Sequence, residues 1–188
     1  MNPFEYLLVL AAVVLGLGLS DLAVSLNRLL EAGKRVTWDW LAPLAALVAF
    51  LKVVAQWWNW FDASALAKGL TFGMYLSVLG SAVLLFLLCA AALPSEIGEA
   101  QVDLADYFGR VRRRYWLLFA AQWGVATGVS LWAQIAIEGA RFTLSPFYLI
   151  LPAAMVMAFV RARWLQALAF VALIALFATE LFGRSLTQ

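Results

Sequence analysis

One lysine interrupts an otherwise apolar stretch of the chain, ALVAFLKVVAQWWNW at residues 46–60. Because successive residues of a helix are 100° apart, Lys52 shares one narrow sector with the amides Gln56 and Asn59. A charge deep in a membrane span costs about 2.5 to 3.5 kcal/mol on insertion scales, so it should face water or other helices. The alternative is that Lys52 extends toward the nearer membrane surface, where an aromatic belt would lie at Trp57, Trp58 and Trp60.

A second polar sector follows one side of the helix expected at residues 115–137, at Thr127, Ser130, Gln134 and Glu138. If the two helices are neighbours, their polar halves line a vestibule that opens to the outer side of the membrane. Glu138 is then the nearest carboxylate to the Lys52 ammonium. The alternative is a set of interhelical hydrogen bonds that only holds the bundle together.

Small residues recur at every fourth position of the same helix, at Ala120, Gly124 and Gly128. Such rows let two helix backbones approach closely inside a bilayer. We therefore expect Gly124 and Gly128 to form a tight helix contact.

Asp21 is a further charge within an apolar segment, GLGLSDLAVSLNRLL. At 1.5 Å per residue it lies about 25 Å from the start of its helix, and Ser25 and Arg28 share its side. This pattern indicates a structural polar cluster at the cytoplasmic end of the first span, with a pathway residue as the alternative. Its depth differs from that of Lys52 by about 10 to 15 Å, so we expect no direct pair.

Residue types that many enzymes need are missing. The chain has no histidine and a single cysteine, Cys89, so it lacks the commonest general base and the commonest transition-metal ligand and forms no internal disulfide. It also contains no Walker loop, no HExxH zinc motif and no nucleophile elbow. We therefore expect that the protein is not an enzyme and holds neither a metal ion nor another cofactor.

The composition places these residues in membrane helices. Of 188 residues, 65% are hydrophobic and 13% are charged, and the mean hydropathy is +0.91, unlike a soluble domain. About 20 apolar residues cross the roughly 30 Å of hydrocarbon. The sequence predicts an all-α polytopic membrane helical bundle, one transmembrane domain over residues 1–188, with six spans at about 4–26, 40–61, 70–93, 115–137, 147–160 and 164–182. Between the last two spans the chain should reverse at the charged RAR of residues 161–163.

The segment at about residues 103–114 predicts an amphipathic cytoplasmic helix. Asp103 can cap its start, and Asp106 and Arg110 form an i,i+4 pair. One apolar stripe runs along it at Leu104, Phe108, Val111 and Tyr115. The helix should lie at the headgroups or continue into the fourth span. Its bases should contact anionic lipid, with a docked cytoplasmic partner as the alternative, at Arg110, Arg112, Arg113 and Arg114.

Basic residues are unequally divided between the two sides of this topology. Nine lie on one side, at Arg28, Lys34, Arg35, Arg110, Arg112, Arg113, Arg114, Arg161 and Arg163, and three on the other, at Lys68, Arg141 and Arg184. Because basic loops stay in the cytoplasm, we expect a multi-pass protein of the bacterial inner membrane with both termini outside the cytoplasm. The bases then serve as loop anchors, so we expect no nucleic-acid partner.

A faint internal repeat relates the second and fifth spans. PLAALVAFLK at residues 43–52 aligns without gaps with PAAMVMAFVR at residues 152–161, and each segment ends on a base. A shift of 109 residues aligns these segments, whereas a shift of 108 better superimposes the small-residue rows of the first and fourth spans. Three spans per unit would orient the halves oppositely, a 3+3 inverted repeat that is typical of transporters.

Two parts of the chain resemble a known family, GLGLSDLAVSLNRLLEAGKRVTWDWL with the later QWWNW, and VDLADYFGRVRRRYWLLFA. In them the chain is similar to a widespread family of uncharacterised bacterial six-helix integral membrane proteins. The similarity covers about the first two thirds of the chain. It implies the six-helix fold and brings no activity with it.

Ser20 and Asp21 in the first helix also resemble, in part, a motif of the lysosomal-type potassium channel family. Leu19 stands where that family has phenylalanine, and the upstream arginine of the motif is missing. The filter residues of that family therefore have no counterpart assigned in this chain.

These features favour a small channel- or transporter-like module with a polar outer vestibule, assembled as a homo-oligomer in the lipid bilayer. A non-transporting scaffold or sensor subunit that acts through partner proteins is the alternative. A water-filled path to Lys52 favours the first function. A dry bundle whose polar groups satisfy one another favours the second.

Overall fold

The computed structural model describes residues 3–62, 72–97, 101–136 and 146–183. Helices dominate this part of the chain, which confirms the all-α class: α1 (Pro3–Ala32), α2 (Leu41–Asp62), α3 (Phe72–Ala92), α4 (Leu104–Ala136), α5 (Ile150–Met157) and α6 (Arg163–Gly183). Two short 3-10 turns lie at Gly33–Arg35 and Pro146–Leu149. Two strands of two residues each are β1 (Val36–Thr37) and β2 (Val102–Asp103).

Four helices, α1, α2, α3 and α6, are long and apolar enough to cross a membrane. This length and composition are typical of a helical membrane protein. α4 is longer, with 33 residues, but it is less apolar because its first third contains an aspartate and four arginines and polar side chains continue into its second half. α5 has eight residues and measures about 12 Å at 1.5 Å per residue, less than the roughly 30 Å of hydrocarbon. Six crossings therefore stay a prediction.

Local sequence signals explain where the helices begin and end. Gly33 follows α1 with φ of 53°, in the left-handed region where glycine has no Cβ to clash. α3 ends two residues before Pro94, which cannot continue a helix. At the start of α4 the Asp103 carboxylate accepts hydrogen bonds from the backbone nitrogens of Ala105 and Asp106, at 2.7 and 3.3 Å. This is the cap predicted for Asp103.

The helices pack around α3 and α2. α3 lies between α1 and α4, while α2 contacts α3, α4 and α6, and α5 packs on α4. The strands β1 and β2 form a parallel pair, with Val36 opposite Val102 and Thr37 opposite Asp103. This pair ties the connection between α1 and α2 to the start of α4, at the end of the bundle that carries most basic residues.

Aromatic side chains from α4 and α6 form the centre of the core. The buried Phe170 ring stacks on Trp116 with centroids 5.0 Å apart, and it meets Phe108 and Tyr115 edge-on at 5.7 Å each. The Tyr115 hydroxyl donates a hydrogen bond to the Ala45 carbonyl oxygen of α2 at 2.8 Å. α4 runs without a break from residue 104 to residue 136, and its early apolar stripe faces this core.

The reversal between α5 and α6 is held by one buried amide. The side-chain nitrogen of Gln166 donates to the carbonyl oxygens of Met157 and Val160, at 2.9 Å each, while its oxygen accepts the indole N–H of a tryptophan of α4. Carbonyls at the end of α5 are thereby satisfied without water. Arg163 at the start of α6 forms an ion pair with Asp39, which precedes α2. The chain thus turns next to the RAR segment, as predicted.

The tight helix contact expected at Gly124 and Gly128 was wrong for the described chain. A Cβ atom on Gly124 would meet only the Leu151 side chain, at 3.7 Å, and one on Gly128 would meet nothing within 4 Å. The reason is that this part of α4 faces the side chains of the short α5 and an open cavity. The close approach is at Gly18 of α1, where a Cβ would lie 3.1 Å from the Phe86 Cα of α3.

The matched bases of the expected repeat occupy different environments. Lys52 is buried in the middle of the 22-residue α2, whereas Arg161 is exposed in the loop between α5 and α6. α2 and α5, which carry most of the two matched segments, have 22 and 8 residues. The inverted repeat therefore stays a prediction.

Candidate functional site

A cavity of about 520 Å³ lies where α2, α3, α4 and α6 meet, away from the basic end of the bundle. The second halves of α2 and α4, the start of α3 and the end of α6 surround it. Its polar lining consists of Lys52, Gln56, Asn59, Ser77, Ser81, Thr127, Ser130, Tyr148 and Glu180. Aromatic walls are provided by Trp60, Trp123 and Phe147.

Lys52 points into the bundle. Its side chain is 4% exposed, and its Nζ lies 4.1 Å from the ring centroid of Trp123 and 5.9 Å from that of Phe177. These cation–π contacts contribute up to about 2 kcal/mol when the cation is desolvated, less than the solvation it loses. By contrast Trp57 and Trp58, at the surface end of α2, are exposed on its outer face. The ammonium therefore does not extend toward Trp57 and Trp58, whereas Trp60 lines the same cavity.

The Lys52 ammonium has no hydrogen bond and no ion pair with any residue in the described ranges. The Lys52 Nζ is nevertheless not cut off from solvent, so its N–H groups open to the cavity. Glu180, near the end of α6, lines the same cavity and is the carboxylate whose charge acts on Lys52. The two groups face one space without touching each other.

A buried network in the wall of the cavity joins three helices. The Gln122 side-chain nitrogen of α4 donates to the Gln56 Oε1 of α2 at 2.9 Å and to the Ser81 hydroxyl of α3 at 3.2 Å. All three side chains are buried. The Gln122 Oε1 is inaccessible to solvent and accepts no hydrogen bond from the described residues. Leaving such a buried acceptor without a partner costs free energy. Gln56 and Ser81 also line the cavity, so the network forms part of its wall.

Five of the eight residues predicted as site candidates line this cavity, namely Lys52, Gln56, Asn59, Thr127 and Ser130. Thr127 is half-buried and Ser130 exposed, while the Ser130 hydroxyl donates to the Ala126 carbonyl oxygen at 3.0 Å. Gln134 is described only as part of the α4 backbone, and Glu138 lies outside the described residues. Whether any of them forms a pathway stays a prediction.

Asp21, the eighth candidate, lies elsewhere. It is partly exposed on α1, and its charge acts on Cys89 of α3 and Tyr107 of α4 rather than on the cavity. The neighbouring Arg28 donates to the Ser95 carbonyl oxygen. Asp21 is thus separate from Lys52, as its depth along the helix predicts.

The sequence reasoning did not single out Gln122, Trp123 or Glu180. Gln122 continues the buried row of Tyr115 and Phe119 at positions i, i+4 and i+7. Glu180 likewise follows the buried Phe177 of α6 at i+3 and is itself half-buried. A polar residue that falls on the apolar face of a helix is the signal that finds both.

The arginines at the start of α4 divide into two environments. Arg110, Arg113 and Arg114 border a surface groove of about 470 Å³ with two leucines, Leu117 and Leu118. The predicted ion pair of Arg110 with Asp106 is confirmed, at 3.1 Å between nitrogen and oxygen. Arg112 is half-buried, and its Nε is inaccessible to solvent and has no hydrogen-bond partner in the described chain. Contact of these bases with anionic lipid stays a prediction.

Comparison with protein-family models, with curated proteins and with solved structures found no match for this chain. The two resemblances noted in the sequence therefore stay predictions.

Proposed function

We propose that this protein is a small channel- or transporter-like membrane module whose polar vestibule gives a solute access to Lys52 from the outer side. One observation carries the proposal, the position of an ammonium inside an apolar helix with its N–H groups open to a polar cavity. Holding a charge there costs solvation that aromatic contacts offset only in part. A structural role would be served equally well by an apolar side chain.

The distribution of polar residues supports the same proposal. Of the six buried polar or charged side chains in the described chain, Lys52, Gln56, Ser81 and Gln122 lie in the cavity or its hydrogen-bond network, and Ser25 and Gln166 lie elsewhere. A solute that enters the vestibule would meet the Gln56–Gln122–Ser81 network beside Lys52. Passage would need this network to open, as in a module whose gates open alternately.

The buried hydrogen-bond network is also the observation that favours the alternative, a non-transporting scaffold or sensor subunit. In the transport function, Gln122→Cys in a Cys89→Ala background becomes reactive toward a membrane-permeant thiol reagent when the network opens. In the scaffold function it stays unreactive in the folded protein, because its side chain is fully buried.

Cysteine labelling tests the vestibule directly. In the Cys89→Ala background, which removes the sole cysteine, we expect Asn59→Cys and Ser130→Cys to react with a charged, membrane-impermeant thiol reagent. Thr127→Cys should react more slowly and Gln56→Cys most slowly, because their side chains are progressively more buried. Mass spectrometry of intact protein in proteoliposomes measures the rates.

A matched control separates water in the cavity from exposure to lipid. Val171→Cys, at an exposed position on the outer face of α6, should resist the same charged reagent because hydrocarbon covers it. All variants must react once the protein is dissolved in SDS. If Thr127→Cys and Ser130→Cys react no faster than Val171→Cys, no water-filled vestibule exists and the transport proposal fails.

We also propose the orientation that the basic residues favour, with the basic end in the cytoplasm, so that the vestibule opens to the outside. A periplasmic reporter such as alkaline phosphatase, fused after residue 188, should be active, and a cytoplasmic reporter at the same position inactive. Fusions after residue 97, where Arg28 and Ser95 mark the basic end, should give the opposite pattern. Cytoplasmic activity after residue 188 would overturn the orientation or the number of crossings.

A further inference from the structure

Two opposite charges face the candidate vestibule without neutralising each other. Of the side chains known to line it, Lys52 and Glu180 are the charged ones, so the described lining has one positive charge, one negative charge and no net charge. They come from different helices, α2 and α6. No ion pair joins them within 4.0 Å, although Glu180 is near enough for its charge to act on Lys52.

The chemistry of each group shows what it lacks. The Trp123 face covers one side of the Lys52 ammonium, which leaves N–H donors directed at the cavity with no protein acceptor in the described chain. The Glu180 carboxylate accepts no hydrogen bond from the described residues, so its oxygens are available as acceptors. Lys52 thus offers hydrogen-bond donors to an anionic group, and Glu180 offers hydrogen-bond acceptors to a cationic group.

We infer that the vestibule binds a small zwitterion, a solute that carries a carboxylate for Lys52 and an ammonium for Glu180, as a free amino acid does. This inference deepens the proposed function and rests on it. A simple anion would leave the Glu180 carboxylate unpaired and repelling, and a simple cation would do the same with Lys52. A zwitterion satisfies both charges and keeps the site neutral.

The rest of the cavity fits the same class of ligand. Its volume of about 520 Å³ is within the range of small-molecule sites, roughly 300 to 1,000 Å³. Trp60 and Phe147 offer apolar surface for a side chain, while Ser77 and Thr127 supply neutral hydrogen-bonding groups. The charges therefore determine the class of solute, and the remaining walls leave room for its variable part.

A panel of matched ligands tests the inference. Purified protein in detergent is mixed with glycine, L-alanine, L-leucine or L-phenylalanine, and separately with the N-acetyl derivative and the amide of each. The first derivative keeps only the anion and the second keeps only the cation. Binding is measured as the shift of the thermal unfolding midpoint and as protection of Ser130→Cys from the impermeant thiol reagent. At least one amino acid should bind about 30-fold more tightly than both of its derivatives.

Two variants invert the preference. Lys52→Met should abolish binding of the amino acid and leave the amide as the better ligand, whereas Glu180→Gln should make the N-acetyl derivative the better one. This crossed pattern is specific, because misfolding would lose every ligand alike. Lys52→Arg, which keeps the charge, should retain preference for the zwitterion.

Several outcomes would overturn the inference while leaving the vestibule itself intact. If no amino acid binds, or if an N-acetyl derivative or an amide binds the wild-type protein as tightly as its parent, the ligand is not a zwitterion. Ser130→Cys would still react with the impermeant reagent in that case. Loss of that reactivity in the absence of ligand would instead contradict the proposed function.

Discussion

Replacing Phe170 by alanine is expected to lower the free energy of unfolding by about 3 to 5 kcal/mol. The Phe170 ring is fully buried and contacts Trp116, Phe108 and Tyr115, with centroid distances of 5.0 to 5.7 Å. Its removal leaves a cavity between α4 and α6 that rigid aromatic neighbours cannot fill. The loss includes aromatic contacts worth about 0.5 to 1.5 kcal/mol for each pair.

Equilibrium unfolding by SDS in mixed micelles, followed by circular dichroism, measures this difference. Phe50→Ala is the matched control, because the Phe50 ring on α2 is 44% exposed on the outer face of the bundle. It should cost less than about 1 kcal/mol, since in micelles its neighbours are detergent tails before and after the change. Equal losses for the two variants would show that the aromatic cluster is not the centre of the core.

Replacing Gly18 by leucine is expected to destabilise the protein by about 3 kcal/mol. A Cβ atom at this position would lie 3.1 Å from the Cα of Phe86 and 3.7 Å from the Cβ of Cys89. The nearest obstacle is backbone, so it cannot turn aside as a side-chain end can. α1 would have to move away from α3, and much of their shared interface would be lost.

Gly16 provides a control two residues away on the same helix. A Cβ there would meet nothing within 4 Å, and leucine has a higher helix propensity than glycine by about 0.8 kcal/mol. Gly16→Leu should therefore leave the thermal unfolding midpoint unchanged or raise it slightly, while Gly18→Leu lowers it. If both variants unfold at the wild-type midpoint, α1 and α3 are not in close contact at Gly18.

The sequence alone determined the class of protein and the polar faces of its helices. Hydropathy depends on composition over about 20 residues, so it is readable without any tertiary contact. Helical periodicity is equally local, and it placed Lys52, Gln56 and Asn59 in one sector and Thr127 and Ser130 in another. The structure brings both sectors to one cavity. The Asp103 cap and the Asp106–Arg110 pair were readable for the same reason, since their partners are within four residues.

Only the tertiary structure decided which helices meet and at what rotation. The Gln122–Gln56 hydrogen bond joins residues 66 positions apart, and Lys52 shares its cavity with Glu180 across a still longer separation. Neither pairing leaves a periodic signal in the chain. The glycine contact shows the same limit: a small-residue row shows that a close approach is sterically allowed at Gly124 and Gly128, but the neighbouring helix decides whether it occurs. At Gly18 the neighbouring helix lies close, because α3 packs along α1. At Gly128 no helix of the described chain lies as close, because α4 there borders open space.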